Sequence, residues 1–108
     1  MYRYKALYTL DFTNIRDYSE IHEEIRDTFD FPAYYGRNWD AFWDCLTNML
    51  GRPINVEVIG LDVIERKFED TADIIINILG NLKHCYHDKY VNDISVEIVR
   101  DNARMKLE

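Results

Sequence analysis

Cysteine is scarce in this sequence, and its scarcity limits the class of protein that it can encode. The two cysteines among 108 residues, Cys45 and Cys85, are too few for the disulfide framework of a small secreted domain. Each falls on or beside an apolar helix face, which is typical of a small buried side chain. The first residues also lack the apolar core and cleavage site of an export signal. We therefore expect a cytoplasmic protein with both thiols reduced.

Long apolar runs and clusters of positive charge are missing as well. No segment approaches the ~20 consecutive apolar residues that a membrane helix needs, so we expect no membrane association. Lys and Arg number 13 against 20 Asp and Glu, which gives a net charge of −7. Because binding to nucleic-acid phosphates needs clustered cations, this balance argues against direct contact with nucleic acid. It favours a basic partner protein.

Common motifs of catalysis and cofactor binding are also absent from the sequence. It contains no glycine-rich phosphate loop, nucleophile elbow or HExxH metal motif, so we expect no cofactor. His84, Cys85 and His87 resemble a metal-binding cluster, but no second pair of ligands exists elsewhere. We interpret them as a surface histidine pair at the end of a helix, with no metal bound. His22 stands alone, and we assign it no role.

The residues that are present predict one small α/β domain over residues 1–100. Hydrophobic residues make up 47% of the chain, which suffices for a packed core. Helical crossovers between strands predict a three-stranded parallel sheet packed by about four helices. Mixed charge at 101–108 predicts a frayed C-terminal tail. Apolar spacing predicts strands at 4–10, 54–59 and 93–99, and helices at 18–29, 38–50, 62–68 and 70–86.

Capping residues mark the starts of three of these helices. Asp17 and Glu20 have capping-box spacing at the start of the first helix. Asn38 can accept a backbone N–H from the first turn of the second helix. Asp62 together with Glu65 can cap the short third helix.

The stretch from residue 31 to residue 50 carries the prediction of a site. Asp40, Asp44 and Thr47 lie just beyond its apolar arc, on the flank that should meet water. Like charges four residues apart on a helix repel by roughly 0.2–0.5 kcal/mol. Two interpretations stay open: a solvated acidic face beside core tryptophans, or an acidic binding surface with an aromatic anchor. The arc itself consists of apolar residues at helical spacing, namely Trp39, Phe42, Trp43, Leu46, Met49 and Leu50.

Residues 34–47, YYGRNWDAFWDCLT, resemble the signature of the barstar family of intracellular ribonuclease inhibitors. The family pattern has a tyrosine pair, a glycine, an asparagine, an apolar residue and Asp-Ala. A further apolar residue is followed by Trp-Asp-Cys-Leu-Thr. The resemblance is dense at 31–47 and thin elsewhere over 4–99. It implies the same fold, a three-stranded parallel sheet packed by helices, and a protein that is not an enzyme.

The resemblance also implies a binding site for a basic secreted ribonuclease, bound one to one. Asp44 would be the main mimic of a substrate phosphate, and Asp40 would be a second acidic contact. Tyr34 would cover the catalytic histidine of the ribonuclease. The other residues of the predicted partner-binding surface are Tyr35, Asn38, Trp43, Thr47 and Asn81.

Departures from the family pattern concern the identity of the target. Asn81 aligns with a family glutamate, and a neutral amide cannot form a charged pair. Asn48 and Met49 replace a Gly-Trp pair, and several residues are inserted around 87–92. An immunity protein against another nuclease toxin is therefore an open alternative. A non-nuclease interaction module on the same fold is another.

A carboxylate enzyme is a third hypothesis, because paired acids can carry out general acid–base chemistry. Asp40 and Asp44 are expected on one exposed helix face, with no evident pocket and no basic group to orient them. We therefore do not expect an enzyme.

Overall fold

A computed structural model of the protein describes residues 5–49, 53–85, 94–100 and 103–107. The side chains of His84 and Cys85 and the predicted loop at 87–92 lie outside the described residues, as does His87. The elements are β1 (Tyr8–Asp11), α1 (Tyr18–Phe29), α2 (Trp39–Thr47), β2 (Ile54–Ile59), α3 (Leu61–Lys67), α4 (Thr71–Cys85), β3 (Ile94–Arg100) and β4 (Ala103–Lys106).

The sheet has the strand order β1-β2-β3-β4. The first three strands run parallel, as predicted, with α1 and α2 before β2, and α3 and α4 before β3. β4 pairs antiparallel with β3, from Arg100↔Ala103 to Glu97↔Lys106. The predicted three-stranded sheet is therefore four-stranded, and residues 103–106 form a strand where a frayed tail was expected. The prediction missed β4 because its alternation of apolar and polar residues extends over only four positions, in a segment of mixed charge, and all four side chains are exposed.

The core forms where one face of the sheet meets the helices. Burying these apolar side chains supplies the main favourable free energy of folding. Alternate strand residues point into it, as the period of two in a strand requires. From the strands it includes Tyr8, Leu10, Ile54, Val56, Val58, Ile94, Val96 and Ile98, and from the helices Ile21, Ile25, Phe29, Phe42, Leu46, Ile75, Leu79 and Leu82.

The opposite face of the sheet is polar and held by a hydrogen-bonded network across the strands. The Glu57 carboxylate on β2 accepts bonds from Thr9 Oγ1 at 2.8 Å and from Arg104 Nη1 at 2.8 Å. Arg104 also donates to Glu97, at 3.2 Å. We call Thr9, Glu57, Glu97 and Arg104 the sheet-face network; it joins all four strands.

Two of the predicted helix ends agree with the structure, and two do not. The Asp17–Glu20 capping box of α1 and the Asn38 cap of α2 are confirmed. α2 ends at Thr47, three residues earlier than predicted.

The predicted cap of α3 by Asp62 and Glu65 is wrong, because Gly60 occupies the N-cap position without a side-chain bond. Gly60 has a φ of 76°, and an added Cβ would lie 2.5 Å from the Thr13 backbone nitrogen. The close approach of two backbones therefore sets this boundary.

Candidate partner-binding site

The outer flank of α2 presents two carboxylates to solvent. Asp40 and Asp44 are both exposed, one helical turn apart. Within the described part of the chain, neither forms an ion pair with a lysine or arginine. Asp40 lies in the first turn, where the helix dipole favours a negative charge. We call Asp40 and Asp44 the acidic flank.

Hydrogen bonds at both ends of α2 hold this flank on a fixed piece of backbone. At the start, Asn38 Oδ1 accepts from the Ala41 N–H at 2.7 Å, which satisfies one free donor of the first turn. At the end, Thr47 Oγ1 donates to the Asp44 carbonyl at 2.8 Å. Asn38 is exposed and Thr47 half-buried, so both can also border a contact surface. Their internal bonds already give each a structural role.

The loop before α2 places its two tyrosines in opposite environments. Tyr34 is 82% exposed, whereas Tyr35 is 5% exposed. The Tyr35 ring packs against Phe31 and His22, and its hydroxyl lies 2.8 Å from His22 Nδ1. Burial raises the pKa of the Tyr35 phenol, so the ring stays neutral and hydrogen-bonded. Tyr34 is thus available to a partner, and the buried Tyr35 anchors the loop to the core.

Arg37 occupies a special backbone position between the tyrosines and α2. Its φ is 54°, in the left-handed region that non-glycine residues seldom adopt. The turn lets Asn38 return to extended backbone, at φ −140°, as a helix cap requires. Arg37 itself is exposed at this turn.

A groove of about 370 Å³ lies between α2 and α4, next to the acidic flank. Asn81, which is exposed on α4, shares this groove with Asp40 from α2. The structure therefore brings the predicted Asn81, Asp40 and Trp43 together. Asp44 is not among the lining residues, so the two carboxylates do not share one concave site. The lining residues are Trp39, Asp40, Trp43, Ile74, Asn77, Ile78 and Asn81.

The sequence interpretation missed this groove and the role of His22. It expected no pocket near Asp40, and that expectation is wrong. The spacing of Ile74, Asn77, Ile78 and Asn81 at three and four residues could have indicated one face of α4. No spacing indicated the contact of His22 with Tyr35, because it joins a helix to an irregular loop.

The rest of the described chain adds no chemistry of another kind. Among these residues, no group of three or more histidine, cysteine or acidic side chains could hold a metal ion. The described helices include none with both the length and the apolar character needed to cross a bilayer. Cys45 is buried beside the site, on the inner side of α2.

Two comparisons with known proteins agree with this arrangement. The protein family described as "Barstar (barnase inhibitor)" matches residues 6–98. A protein of Bacillus subtilis (strain 168), named "Putative ribonuclease inhibitor YrdF", is 31% identical over 80 residues. The aligned region covers 74% of this chain and 85% of that relative. Together with the α/β fold and the exposed motif on α2, these matches show that the chain belongs to the barstar family.

Proposed function

We propose that this protein inhibits a basic ribonuclease by covering its active site with the acidic flank of α2. It acts one to one, in the cytoplasm, without a cofactor and without enzymatic activity of its own. The observation that carries the proposal is the exposure of Asp40 and Asp44 on a capped helix, with no cation of the described chain paired to them. Family membership and the name of the Bacillus relative support it.

The chemistry of the target explains why carboxylates suit this role. A ribonuclease must bind a phosphodiester and stabilise the negative charge that develops in its transition state, so its active site is basic. A carboxylate held on a rigid helix can occupy a phosphate position and pair with arginine or histidine there. Asp44 is the main phosphate mimic in this proposal, and Asp40 is the second acidic contact.

The aromatic side chains around the flank exclude water and so strengthen these ion pairs. Tyr34 projects from the loop, and its ring is free to cover the ribonuclease's catalytic histidine. Trp43 is half-buried on the groove beside Asp40. Asn38 and Thr47 border the surface while fixing the helix ends. Tyr35 contributes through the loop that it anchors.

The α4 side of the surface favours a target that differs from the family prototype's. Asn81 and Asn77 face the groove with neutral amides, and Ile74 and Ile78 line it with apolar surface. An amide forms hydrogen bonds but carries no charge. The α4 side of the groove therefore favours a partner with fewer cations. A nuclease toxin for which this chain is the immunity protein is therefore the second candidate target.

A titration of enzyme activity tests the proposal directly. A small secreted guanyl-specific ribonuclease is titrated with the wild-type protein and with Asp44→Ala. We expect stoichiometric inhibition by wild type and a loss of inhibition in the variant. Asp73→Ala is the matched control, because Asp73 is an exposed aspartate on α4 that does not line the groove. Equal inhibition by wild type and Asp44→Ala would refute the role of Asp44.

A further inference from the structure

The groove between α2 and α4 has an apolar lining, unlike the acidic cavities elsewhere in the described chain. Its walls are formed by Trp39 and Trp43 on α2 and by Ile74 and Ile78 on α4. The cavity at the start of α4 is lined by four acidic residues and an alanine, and the cavity beside α1 has five acidic residues in its lining. Apolar walls with a few polar groups are typical of a pocket that receives a ligand or a side chain.

The polar groups of the groove carry little charge. Asn77 and Asn81 lie one turn apart on the exposed side of α4 and contribute neutral amides, and Asp40 contributes a carboxylate from α2. A lysine or arginine side chain in this groove would meet one carboxylate and otherwise apolar walls. Burying a cation without full pairing is costly. The lining therefore disfavours a charged occupant.

A neutral aromatic ring fits the same lining. Its faces can contact the tryptophan and isoleucine side chains, and a ring of this kind buries a large apolar area at a small cost in conformational entropy. Tyrosine and tryptophan also carry one O–H or N–H donor at the edge of the ring. That donor can bond to the Asp40 carboxylate or to an asparagine amide oxygen, so that no polar group is left without a partner.

The apolar surface continues beyond the groove toward the start of α1. Trp39 meets the ring of Tyr18 edge-on at a centroid distance of 6.3 Å, and Tyr18 meets Phe68 in the same way at 6.0 Å. Tyr18 is 45% exposed, and Phe68 is half-buried. Contiguous exposed apolar surface marks sites of protein contact, and aromatic anchors tend to meet aromatic anchors on the partner.

The position of Asp40 connects the groove to the acidic flank. Asp40 belongs to both, so a partner that covers the flank also covers the mouth of the groove. We propose that the groove receives an uncharged aromatic side chain of the partner, a tyrosine or tryptophan, and that Ile78 and Asn81 make this choice specific. The inference rests on the proposed function for the approach of the partner. The preference of the groove concerns the free protein alone.

The first test titrates the free protein with two small amides and follows its indole N–H signals by NMR. The chain has two tryptophans, Trp39 and Trp43, and both line the groove, so their signals report on it directly. We expect N-acetyltryptophanamide to shift both signals to saturation and N-acetylargininamide to bind several-fold more weakly. Stronger binding of the arginine amide would overturn the proposal, and so would the absence of a response to either compound.

Two variants sharpen this titration. Ile78→Ala should weaken binding of the tryptophan amide about fivefold, because it removes part of the apolar wall. Ile76→Ala is the matched control, since Ile76 packs against the core from the same helix but does not line the groove. Equal effects of the two variants would contradict the assignment. Asn81→Glu changes an exposed side chain and leaves the packing intact, and it should reverse the preference between the two amides.

The second test asks whether a partner covers the groove. The titration is repeated on the complex with the guanyl-specific ribonuclease, where the tryptophan amide should no longer shift Trp39 and Trp43. An unchanged response in the complex would separate the groove from the partner-binding surface and overturn the proposal. Dilution of the free protein is the control, because indole shifts that depend on protein concentration would assign the groove to a second copy of this chain instead.

The last test changes the partner. The ribonuclease residue that lies over the groove is identified from a crystal structure of the complex and replaced by tyrosine. Binding should become several-fold tighter with wild type, and this gain should be lost with Ile78→Ala. A gain of the same size with both proteins would contradict the proposal. If wild type binds no ribonuclease, the proposed function fails, and the titration of the free protein still decides the preference of the groove.

Discussion

Acidic residues occupy two regions of this molecule, and their surroundings are opposite. On the sheet-face network, Glu57 and Glu97 share the Arg104 guanidinium at 2.8 and 3.2 Å, and Thr9 completes the bonding of Glu57. On the acidic flank, Asp40 and Asp44 are exposed, and no described lysine or arginine pairs with them. Both regions contain a pair of carboxylates, but only in the sheet-face network are they paired with a described cation, Arg104.

The difference distinguishes acidic side chains that stabilise the fold from acidic side chains that are available for binding. A paired carboxylate already interacts with a cation of its own protein in place of water. It therefore contributes little to the binding of another molecule. An unpaired carboxylate on a rigid helix keeps its charge available and slightly disfavours the isolated protein. Removing carboxylates from the acidic flank should therefore reduce affinity and leave stability nearly unchanged. Removing them from the sheet-face network should reduce stability and leave affinity unchanged.

The largest effect is expected when the acidic flank is neutralised. The double variant Asp40→Asn/Asp44→Asn should lose about 4 kcal/mol of binding free energy for the ribonuclease, roughly a thousandfold, a scale established on complexes of this family. Its free energy of unfolding should change by less than about 0.5 kcal/mol, because relieved repulsion offsets the lost dipole interaction of Asp40. Enzyme titration and urea denaturation measure the two quantities.

Asp62→Asn/Asp73→Asn serves as the control for this variant. It removes the same charge from α3 and α4, outside the groove. A comparable loss of affinity in the control would mean that net charge, and not the acidic flank, governs binding.

A second variant extends the acidic flank across the groove. Asn81→Glu places a carboxylate opposite Asp40, and we expect tighter binding by about 1 kcal/mol to a ribonuclease that presents a further cation there. Asn77→Gln, which changes the same groove without charge, is the control. Calorimetric titration measures both, and weaker binding by Asn81→Glu would favour a target with an apolar or neutral group at this position.

Neutralising the sheet-face network should affect stability and leave binding unchanged. Glu57→Gln is expected to reduce the free energy of unfolding by about 1 kcal/mol at pH 7, a modest amount because Arg104 is largely exposed. The bonds from Arg104 and Thr9 lower the pKa of Glu57 from its ordinary value of 4.5. Its contribution is therefore complete above about pH 4.5 and is lost as the pH falls below that value.

Urea denaturation at pH 7 and at pH 3 measures this contribution. Wild type should lose more stability on acidification than Glu57→Gln does. Equal losses would show that the Glu57 carboxylate is not stabilised in the folded state. A changed affinity of Glu57→Gln for the ribonuclease would show that the sheet-face network also contributes to binding.

The smallest effect concerns Arg37, the exposed cation at the turn before α2. Arg37→Ala should accelerate association with a basic ribonuclease a few-fold at low salt, because a repelling charge at the rim is removed. Arg66→Ala makes the same change in net charge on α3, at a residue that does not line the groove, and should accelerate association less. Stopped-flow kinetics at 20 and 300 mM salt measure both, and identical rates would exclude a local effect.

The sequence predicted those features that depend on residues close together in the chain. The capping box of α1 and the Asn38 cap of α2 are formed within four residues, so composition and spacing suffice to locate them. The parallel order of β1, β2 and β3 followed from the helical crossovers. The acidic flank followed from the position of Asp40 and Asp44 beside the apolar arc.

The features that the sequence did not predict depend on contacts between distant segments. The groove needs Asp40 and Asn81, which are far apart in the chain, on neighbouring helices. The bond of His22 to Tyr35 crosses from a helix to a loop with no repeating pattern. β4 is recognisable only through its pairing with β3, because its own side chains are all exposed.

β4 also determines where the chain can be shortened. It covers the outer edge of β3, the Leu107 N–H donates to the Val96 carbonyl at 2.8 Å, and Lys83 Nζ donates to the Leu107 carbonyl at 2.9 Å. A version of the protein that stopped at residue 100 would leave the backbone groups of β3 open along one side. Unprotected strand edges pair with each other, so such a version is expected to self-associate. The match to the family ends at residue 98, and a boundary drawn from the family alone would therefore remove the strand that covers the edge of β3.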